Sequence, residues 1–440
     1  MSAVSGYIDT TMHPEPTTTS HAAAERPEAP DQLSSPRLDD VAGPSGRRHG
    51  MALCLSGGGY RAALFHLGAA RRLDELGILA QLDTVSGVSG GSLVANLLAD
   101  PRLQFPADKQ AGSQVGGFED LVAEPLRRLT SRNIRTPALL SKITLRHWFS
   151  DDAAVRALAD ELAEAVDWWS VPLRDNAIAG PAIITGSTEI AYGVNWVFED
   201  PTAHQPHGRV GDYRLGYAAP PPSLRIADIV AASCAYPPFF APMVFDGEGM
   251  KLVGGHPGLE SPKERQRIRR HIRLTDGGVY DNLGLEPVWK SHHTVLVSDG
   301  GGVFRARTER TIHGRMLRIL GIATSGGQSV RSRWLQAGYH RGVLDGTSWA
   351  LDTAAPGCYP REVTELINAV RTDLDAFTTQ EQQVLERHGY LVAEAQVRAH
   401  APELVTRDVP AVPPHPEVAD PAVAATALRD SAVRTLLGRR

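Results

Sequence analysis

The sequence predicts an α/β protein: a three-layer α/β/α sandwich around a mostly parallel sheet. Three observations predict it. Residues 51–56 form a short apolar run that ends in Gly57-Gly58-Gly59. Residues 81–86 form a second run, and it ends in Gly87-Val88-Ser89-Gly90-Gly91. Each glycine cluster then opens a stretch with apolar residues at helical spacing. A buried strand entering a tight turn and then a helix, twice in succession, is the alternation that builds parallel sheets.

Each element follows from its residues. The helix over 60–76 carries Leu64, Leu67, Leu73 and Leu76 on one face, with Gly77 where a C-terminal cap belongs. A second helix follows the serine-bearing turn at 93–98. Apolar runs predict strands at 181–185, 194–198, 272–275 and 294–298. Helices are expected near 119–130, at 151–167, at 226–234 (stopped by Pro237-Pro238), over 308–342, 361–376 and 379–388. The first 49 residues carry Pro14, Pro16, Pro27, Pro30, Pro36 and Pro44 and no apolar period, so a disordered tail is expected. The ordered domain is expected over 50–400, mainly helical in 305–400. Residues 401–440 read as a Pro-rich tail with a short helix within 421–438.

Composition narrows the function classes. Of 440 residues, 42% are hydrophobic and 22% charged, with a formal net charge of −5, enough apolar matter for a sizeable core and too little basic excess for a nucleic-acid binder. Cys54, Cys234 and Cys358 are dispersed, which argues against a disulfide framework or a structural zinc site and for a reducing compartment. No run reaches the ~18 apolar residues of a membrane span, and the start lacks a signal-peptide pattern. A cytoplasmic protein is expected, with its oligomeric state left open.

The strongest chemical signal is Gly87-Val88-Ser89-Gly90-Gly91, a GxSxG sequence between strand and helix. On such an elbow a serine is forced into a strained conformation that lifts Oγ out of the sheet, at the positive N-terminus of the next helix. The plain alternative is a tight turn whose glycines only allow close packing. Gly57-Gly58-Gly59-Tyr60-Arg61 is the second signal, since bare backbone N–H groups at a helix start receive an anion. It lacks the third glycine of a dinucleotide turn, where Ala62 stands, and the Lys-Ser/Thr of a P-loop. An oxyanion hole facing Ser89 is the competing reading. The third signal is Asp276-Gly277-Gly278 at the end of a predicted strand, with a decoy in Asp299-Gly300-Gly301 after the next one.

A glycine turn followed by Arg, then GxSxG, then DGG, in this order over 51 to about 300, resembles the patatin-like phospholipase family. The stretch Ala232-Ser233-Cys234-Ala235-Tyr236-Pro237-Pro238 is similar to that family's segment ahead of its aspartate. The resemblance implies a lipid acyl hydrolase using a Ser–Asp dyad without histidine: Ser89 as nucleophile, Asp276 as general base, Gly57, Gly58 and Gly59 as oxyanion donors, and Arg61 beside the substrate. It implies a phospholipid or lysophospholipid substrate, an acyl-serine intermediate, no cofactor and no metal. A carboxylate near its ordinary pKa of ~3.9 is a weak base, so the pocket must raise it.

Two other functions compete. A Ser–Asp–His esterase would draw on His313, His340 or His388, although Ser89 comes early in the chain for that fold. A non-catalytic nucleotide- or lipid-binding protein would use the crevice without turnover. His66 reads as a packed core histidine, and His292-His293 as a solvated pair. Residues 263–273 carry six basic side chains and read as a solvated loop, or as a patch for anionic headgroups at the inner face of a membrane. Ser325-Gly326-Gly327 has the small residues of an elbow but no strand before it. The helix ending in Arg439-Arg440 offers a short apolar face for membrane contact.

Overall fold

The computed structural model describes residues 49–109, 112–141, 152–202, 207–302, 311–435 and 438–439. The expected tail over 1–49 lies outside the described residues, save for residue 49.

A ten-stranded sheet runs through the molecule. Strands β1 (Met51–Leu55), β2 (Thr84–Val88), β3 (Ala182–Glu189), β9 (Thr294–Asp299) and β10 (Ser348–Ala350) lie parallel in the order β10-β9-β1-β2-β3. Beyond β3 the sheet turns antiparallel through β4 (Val194–Glu199), β5 (Arg209–Asp212) and β6 (Gly216–Ala218). Strand β8 (Ile272–Asp276) pairs antiparallel with β3 and carries β7 (Met243–Phe245) on its other edge. The sheet is therefore mixed. The parallel part is what the strand–turn–helix pattern predicts, and the antiparallel part is built from strands of three to eight residues, several too short to announce themselves.

The side chains of β1 divide the layers. Leu53 and Leu55 pack with helices α1 (Gly59–Glu75) and α2 (Gly90–Leu97), whereas Ala52 and Cys54 pack with Leu283, Leu285 and Leu335 on the opposite face. Alternate residues of a strand point to opposite faces, so this split makes the three layers. Helices α3 (Ala153–Ala165) and α4 (Ile226–Ser233) add their apolar faces to the larger core. The basic stretch expected as a loop is a helix, α5 (Pro262–Arg270), started by Ser261, whose Oγ accepts the Glu264 N–H at 3.2 Å.

The far C-terminal half belongs to the same body. Helix α6 (Ile312–His340) buries Leu335 on the second face of the sheet, and α7 (Arg361–Ala369) follows. Helix α8 (Thr379–His400) crosses α1 so closely that a Cβ on Gly68 would lie 1.8 Å from the Glu386 carbonyl, and one on Gly389 would lie 1.8 Å from that of Phe65. Only glycine at both points permits the crossing. Residues 401–433 are no tail. Thr406 and Arg407 donate their N–H groups to Leu76 O, the Tyr359 hydroxyl donates to Val418 O at 2.6 Å, and Ala424 and Leu428 of α9 (Pro421–Val433) are fully buried. The prolines shape a packed strap here.

Gly389→Ala should force α8 away from α1 and lower stability by about 1–3 kcal/mol or more. Thermal or denaturant melts check it. A change below a few tenths would mean that the crossing is looser than described.

Candidate active site

Strand β3 aligns the two sequence motifs. On one edge it pairs Val88 with Gly186, the last pair of β2; on the same edge its next residue, Ser187, pairs with Asp276, the last residue of β8. The two strands arrive from opposite directions and stop at neighbouring rungs. Ser89 Oγ consequently lies 2.9 Å from Asp276 Oδ2 and donates to it.

Both residues are held by their own backbones. Ser89 sits at φ 50°, ψ −119°, a strained left-handed conformation for a residue with a Cβ. Its N–H donates to Ser233 Oγ at 2.8 Å, whose hydroxyl in turn donates to Gly186 O at 2.6 Å, and its carbonyl accepts the Ser92 hydroxyl at 2.6 Å. These bonds hold the elbow against β3 and α4. Asp276 is 2% exposed, with Oδ1 taking the Gly278 N–H at 2.8 Å and its backbone carbonyl taking the Thr188 hydroxyl at 2.9 Å. Burial pushes its carboxyl up to about 7, against the opposing pull of the Gly278 and Ser89 hydrogen bonds. That is the raised basicity the sequence argument required.

The glycine turn packs against the elbow, since a Cβ on Gly90 would lie 2.2 Å from the Gly59 carbonyl. Its three residues differ. Gly57 donates its N–H to Asn282 O at 3.0 Å, so that amide is already committed and is not an oxyanion donor as expected. The amides of Gly58 and Gly59 have no acceptor among the described residues. Gly58 has φ 148°, and a Cβ there would lie 2.6 Å from Gly300 O, so any side chain strains the turn itself. Arg61 has a bracing role that the sequence did not show. Its guanidinium is 1% exposed and donates to the carbonyls of Asn368, Val370 and Gly300 at 3.1, 3.0 and 3.3 Å. It braces the loops above the glycine turn and also lines the cavity over Ser89.

A cavity of about 560 Å³ opens over Ser89 and Asp276. Tyr236, Phe239, Phe240 and Leu374 give it apolar wall, with Tyr236 and Phe239 stacked at 6.4 Å. Cys234 also lines it, its thiol pushed up to about 12 by burial and then by the charge of Asp276, so it stays a neutral thiol. Sequence reasoning missed the part of the lining that comes from beyond residue 305: Thr324, Ser325 and Gln328 of α6, and residues 368–374 from the end of α7 onward. It also missed Asn282, whose Nδ2 donates to Gln328 Oε1 at 3.2 Å. Of the Ser325-Gly326-Gly327 stretch, Ser325 lines the cavity, and a Cβ on Gly326 would meet nothing within 4 Å.

The remaining candidates fall elsewhere. Asp299 accepts the Gly301 N–H at 2.9 Å and Gln328 Nε2 at 2.7 Å, an anchor for α6 outside the cavity lining. No histidine among the described residues lines the cavity. His66 is buried between Ser298 Oγ at 2.7 Å and Ser56 O at 2.9 Å, and burial pushes it down to about 4. His388 is likewise buried and pushed down to about 4, with Nε2 2.8 Å from Leu351 O, and His340 is exposed. His292 is buried, not solvated, 2.9 Å from Thr84 Oγ1. In α5, Arg265 and Arg269 each donate to a neighbouring carbonyl and Arg270 to Glu248, so the basic stretch spends much of its charge on local structure.

Fold and site together define an α/β protein with a serine elbow at the mouth of its sheet. The chain belongs to the patatin-like phospholipase family, whose model matches residues 53–289, and lipid hydrolysis is the activity of that class. Among solved structures, the human GIVD cytosolic phospholipase A2 is similar over 91% of this chain and 66% of its own, at 12% identity and a TM-score of 0.43. The same protein in complex with methyl gamma-linolenyl fluorophosphonate matches at 14% identity over 91% of this chain and 60% of its own, with a TM-score of 0.42. VipD from Legionella pneumophila matches at 14% identity over 80% of this chain and 67% of its own, with a TM-score of 0.32. The chain thus spans about two thirds or less of the length of these structures. Among curated proteins, none matches significantly. No described helix is long and apolar enough to cross a membrane.

Asp276 carries a stability signature. Its folded pKa, about 7, stands above the unfolded value, so ionisation destabilises the fold. The cost is absent below ~pH 4, grows as pH rises between the two values, and is complete above about 7. Asp276→Asn should therefore stabilise the protein by about 1–4 kcal/mol at pH 8, with the gain shrinking toward pH 4. Melts across that range check it, and a variant less stable than wild type at pH 8 would contradict the raised carboxyl.

Proposed function

We propose that the protein hydrolyses carboxylic ester bonds of phospholipids or lysophospholipids through Ser89 and Asp276, by way of an acyl-serine. The observation that carries this reading is the 2.9 Å contact between Ser89 Oγ and a buried carboxylate raised to about 7. A base is most effective when its pKa lies near the working pH, and an ordinary aspartate would be far too weak.

In the proposed sequence, ionised Asp276 takes the Ser89 hydroxyl proton as Oγ attacks the acyl carbonyl carbon. The carbonyl π electrons move to oxygen, and the resulting oxyanion is received by the N–H groups of Gly58 and Gly59. Each such donor is worth ~3 kcal/mol of barrier. The N-terminus of α2, directly after Ser89, favours the same charge. Collapse breaks the ester C–O bond, and the leaving alcohol takes the proton from Asp276. The carboxylate then deprotonates a water that attacks the acyl-serine, which releases fatty acid and restores Ser89. Tyr236, Phe239, Phe240 and Leu374 supply apolar surface for an acyl chain. Arg61 and Gly57 act through the glycine turn, as braces that keep the two free amides aimed.

Hydrolysis of a phospholipid or short-chain ester by purified variants tests the assignment. Ser89→Ala and Asp276→Asn should each lose at least ~10³ in kcat, within the loss typical of removing one member of a nucleophile–base pair. Asp299→Asn and His388→Gln should keep the chemistry when folded. Turnover near wild type in Ser89→Ala, or an essential His388 beside an active Asp276→Asn, would overturn the dyad.

A further inference from the structure

Between residues 312 and 330, helix α6 turns large apolar side chains to solvent. Gly321, Thr324, Ser325 and Gln328 face the cavity. Ile312, Met316, Ile319, Ile322 and Val330 point away from the protein, each between 52% and 69% exposed. At ~3.6 residues per turn, Ile312, Met316, Ile319 and Val330 fall on one line, with Ile322 at its margin. Over 321–328 small and polar residues thus line the cavity, while large apolar ones between 312 and 330 face solvent. Contiguous exposed apolar surface of this kind marks an interaction site.

The charge on the same helix selects the occupant. Its 29 residues hold no Asp or Glu and include Arg315, Arg318 and Arg333, while a fourth arginine, Arg331, turns inward to the Tyr280 carbonyl, Asp281 and Glu286. An apolar stripe flanked by arginines suits the interface of an anionic bilayer, where the stripe enters the acyl boundary and the guanidinium groups meet phosphate. A second copy of the chain fits poorly. A two-fold interface sets the same patch against itself, and would bring like charges together. Position adds to the argument, because one helix separates the solvent-facing stripe from the cavity over Ser89.

We propose that the outer face of the N-terminal half of α6 docks the protein on anionic lipid bilayers, with the cavity mouth beside the membrane. The proposal rests on the lipid hydrolase reading for its purpose, and on α6 alone for its binding. In this arrangement a lipid passes from the bilayer into the cavity along the small-residue face of the same helix. The C-terminal half of α6 stays anchored by Leu335, Trp334 and Tyr339 against the sheet.

The test uses the full chain and vesicles of non-hydrolysable ether lipids, so binding is read independently of turnover. Wild type should float with phosphatidylcholine–phosphatidylglycerol vesicles and more weakly with pure phosphatidylcholine, and high salt should weaken it. The double variant Met316→Asp/Ile319→Asp should bind the anionic vesicles on the order of tenfold less or weaker. Its melting temperature and its turnover of a soluble short-chain ester should match wild type. A double variant that floats like wild type overturns the proposal, as does a wild type that ignores both vesicles. A wild-type dimer that the same substitutions dissociate would give the face to a second copy and also overturn it. A wild type that floats as expected but hydrolyses no ester would leave the docking face standing and remove the hydrolase reading.

Discussion

The register of β3 is the constraint on which the rest depends. One edge of this strand receives β2 running parallel and β8 running antiparallel, and the two end on the successive residues Gly186 and Ser187. A one-residue slip of either strand would turn its side chains to the other face of the sheet and separate Ser89 from Asp276. Much of the surrounding hydrogen bonding guards this meeting point. Ser233 ties the Ser89 amide to Gly186 O, and Thr188, the next residue of β3 after Ser187, holds the Asp276 carbonyl. The fold stores strain at the serine and desolvation at the aspartate, and the ladder around them is what makes both tolerable.

The electrostatics follow from that packing. Asp276 has no cation among its hydrogen-bond partners; a hydroxyl and one amide are what it meets. Burial therefore dominates, and the carboxyl rises instead of falling. Elsewhere the chain treats buried carboxylates oppositely. Glu386 is held down to about 2 by His415 and Arg127, which outweigh its burial, and it ties α8 to Arg127 far ahead of it and to the strap after it. The same side-chain chemistry serves as scaffold where a cation is supplied and as a poised base where it is withheld. Arg61 fits this division, since its charge is spent on three carbonyls and does not reach Asp276.

The parts legible in the sequence were those whose signal is local. Apolar runs entering glycine clusters identify β1, α1, β2 and α2, and with them Ser89, because tight turns need glycine wherever they occur. Asp276 was visible as an acid at a strand end, but its preference over Asp299 came from resemblance, since the ends of β2 and β8 meet only through the pairing with β3, which no local pattern encodes. The same reason hid the committed amide of Gly57 and the true partners of Arg61, all of them distant carbonyls. Helix α5 was readable after all: Ser261-Pro262-Lys263-Glu264 is a helix start, with a capping serine, proline in the first turn and glutamate after it. The packing of 401–433 could not be read, because prolines break helices whether a strap is buried or loose. The wall from α6 and 368–374 was missed because a cavity face made of small and polar residues looks like a solvated one.

The central claim is that a buried aspartate, raised toward neutrality, activates Ser89. The most direct measurement is the rate at which a fluorophosphonate phosphonylates Ser89 as a function of pH, since that step needs the nucleophile and its base and no lipid surface. The account predicts a rate that rises with pH along a single limb centred near the raised carboxyl, about 7, and a rate in Asp276→Asn that is low and flat across the same range. A limb that persists unchanged in Asp276→Asn, or one centred near the ordinary aspartate value of ~4, would contradict it.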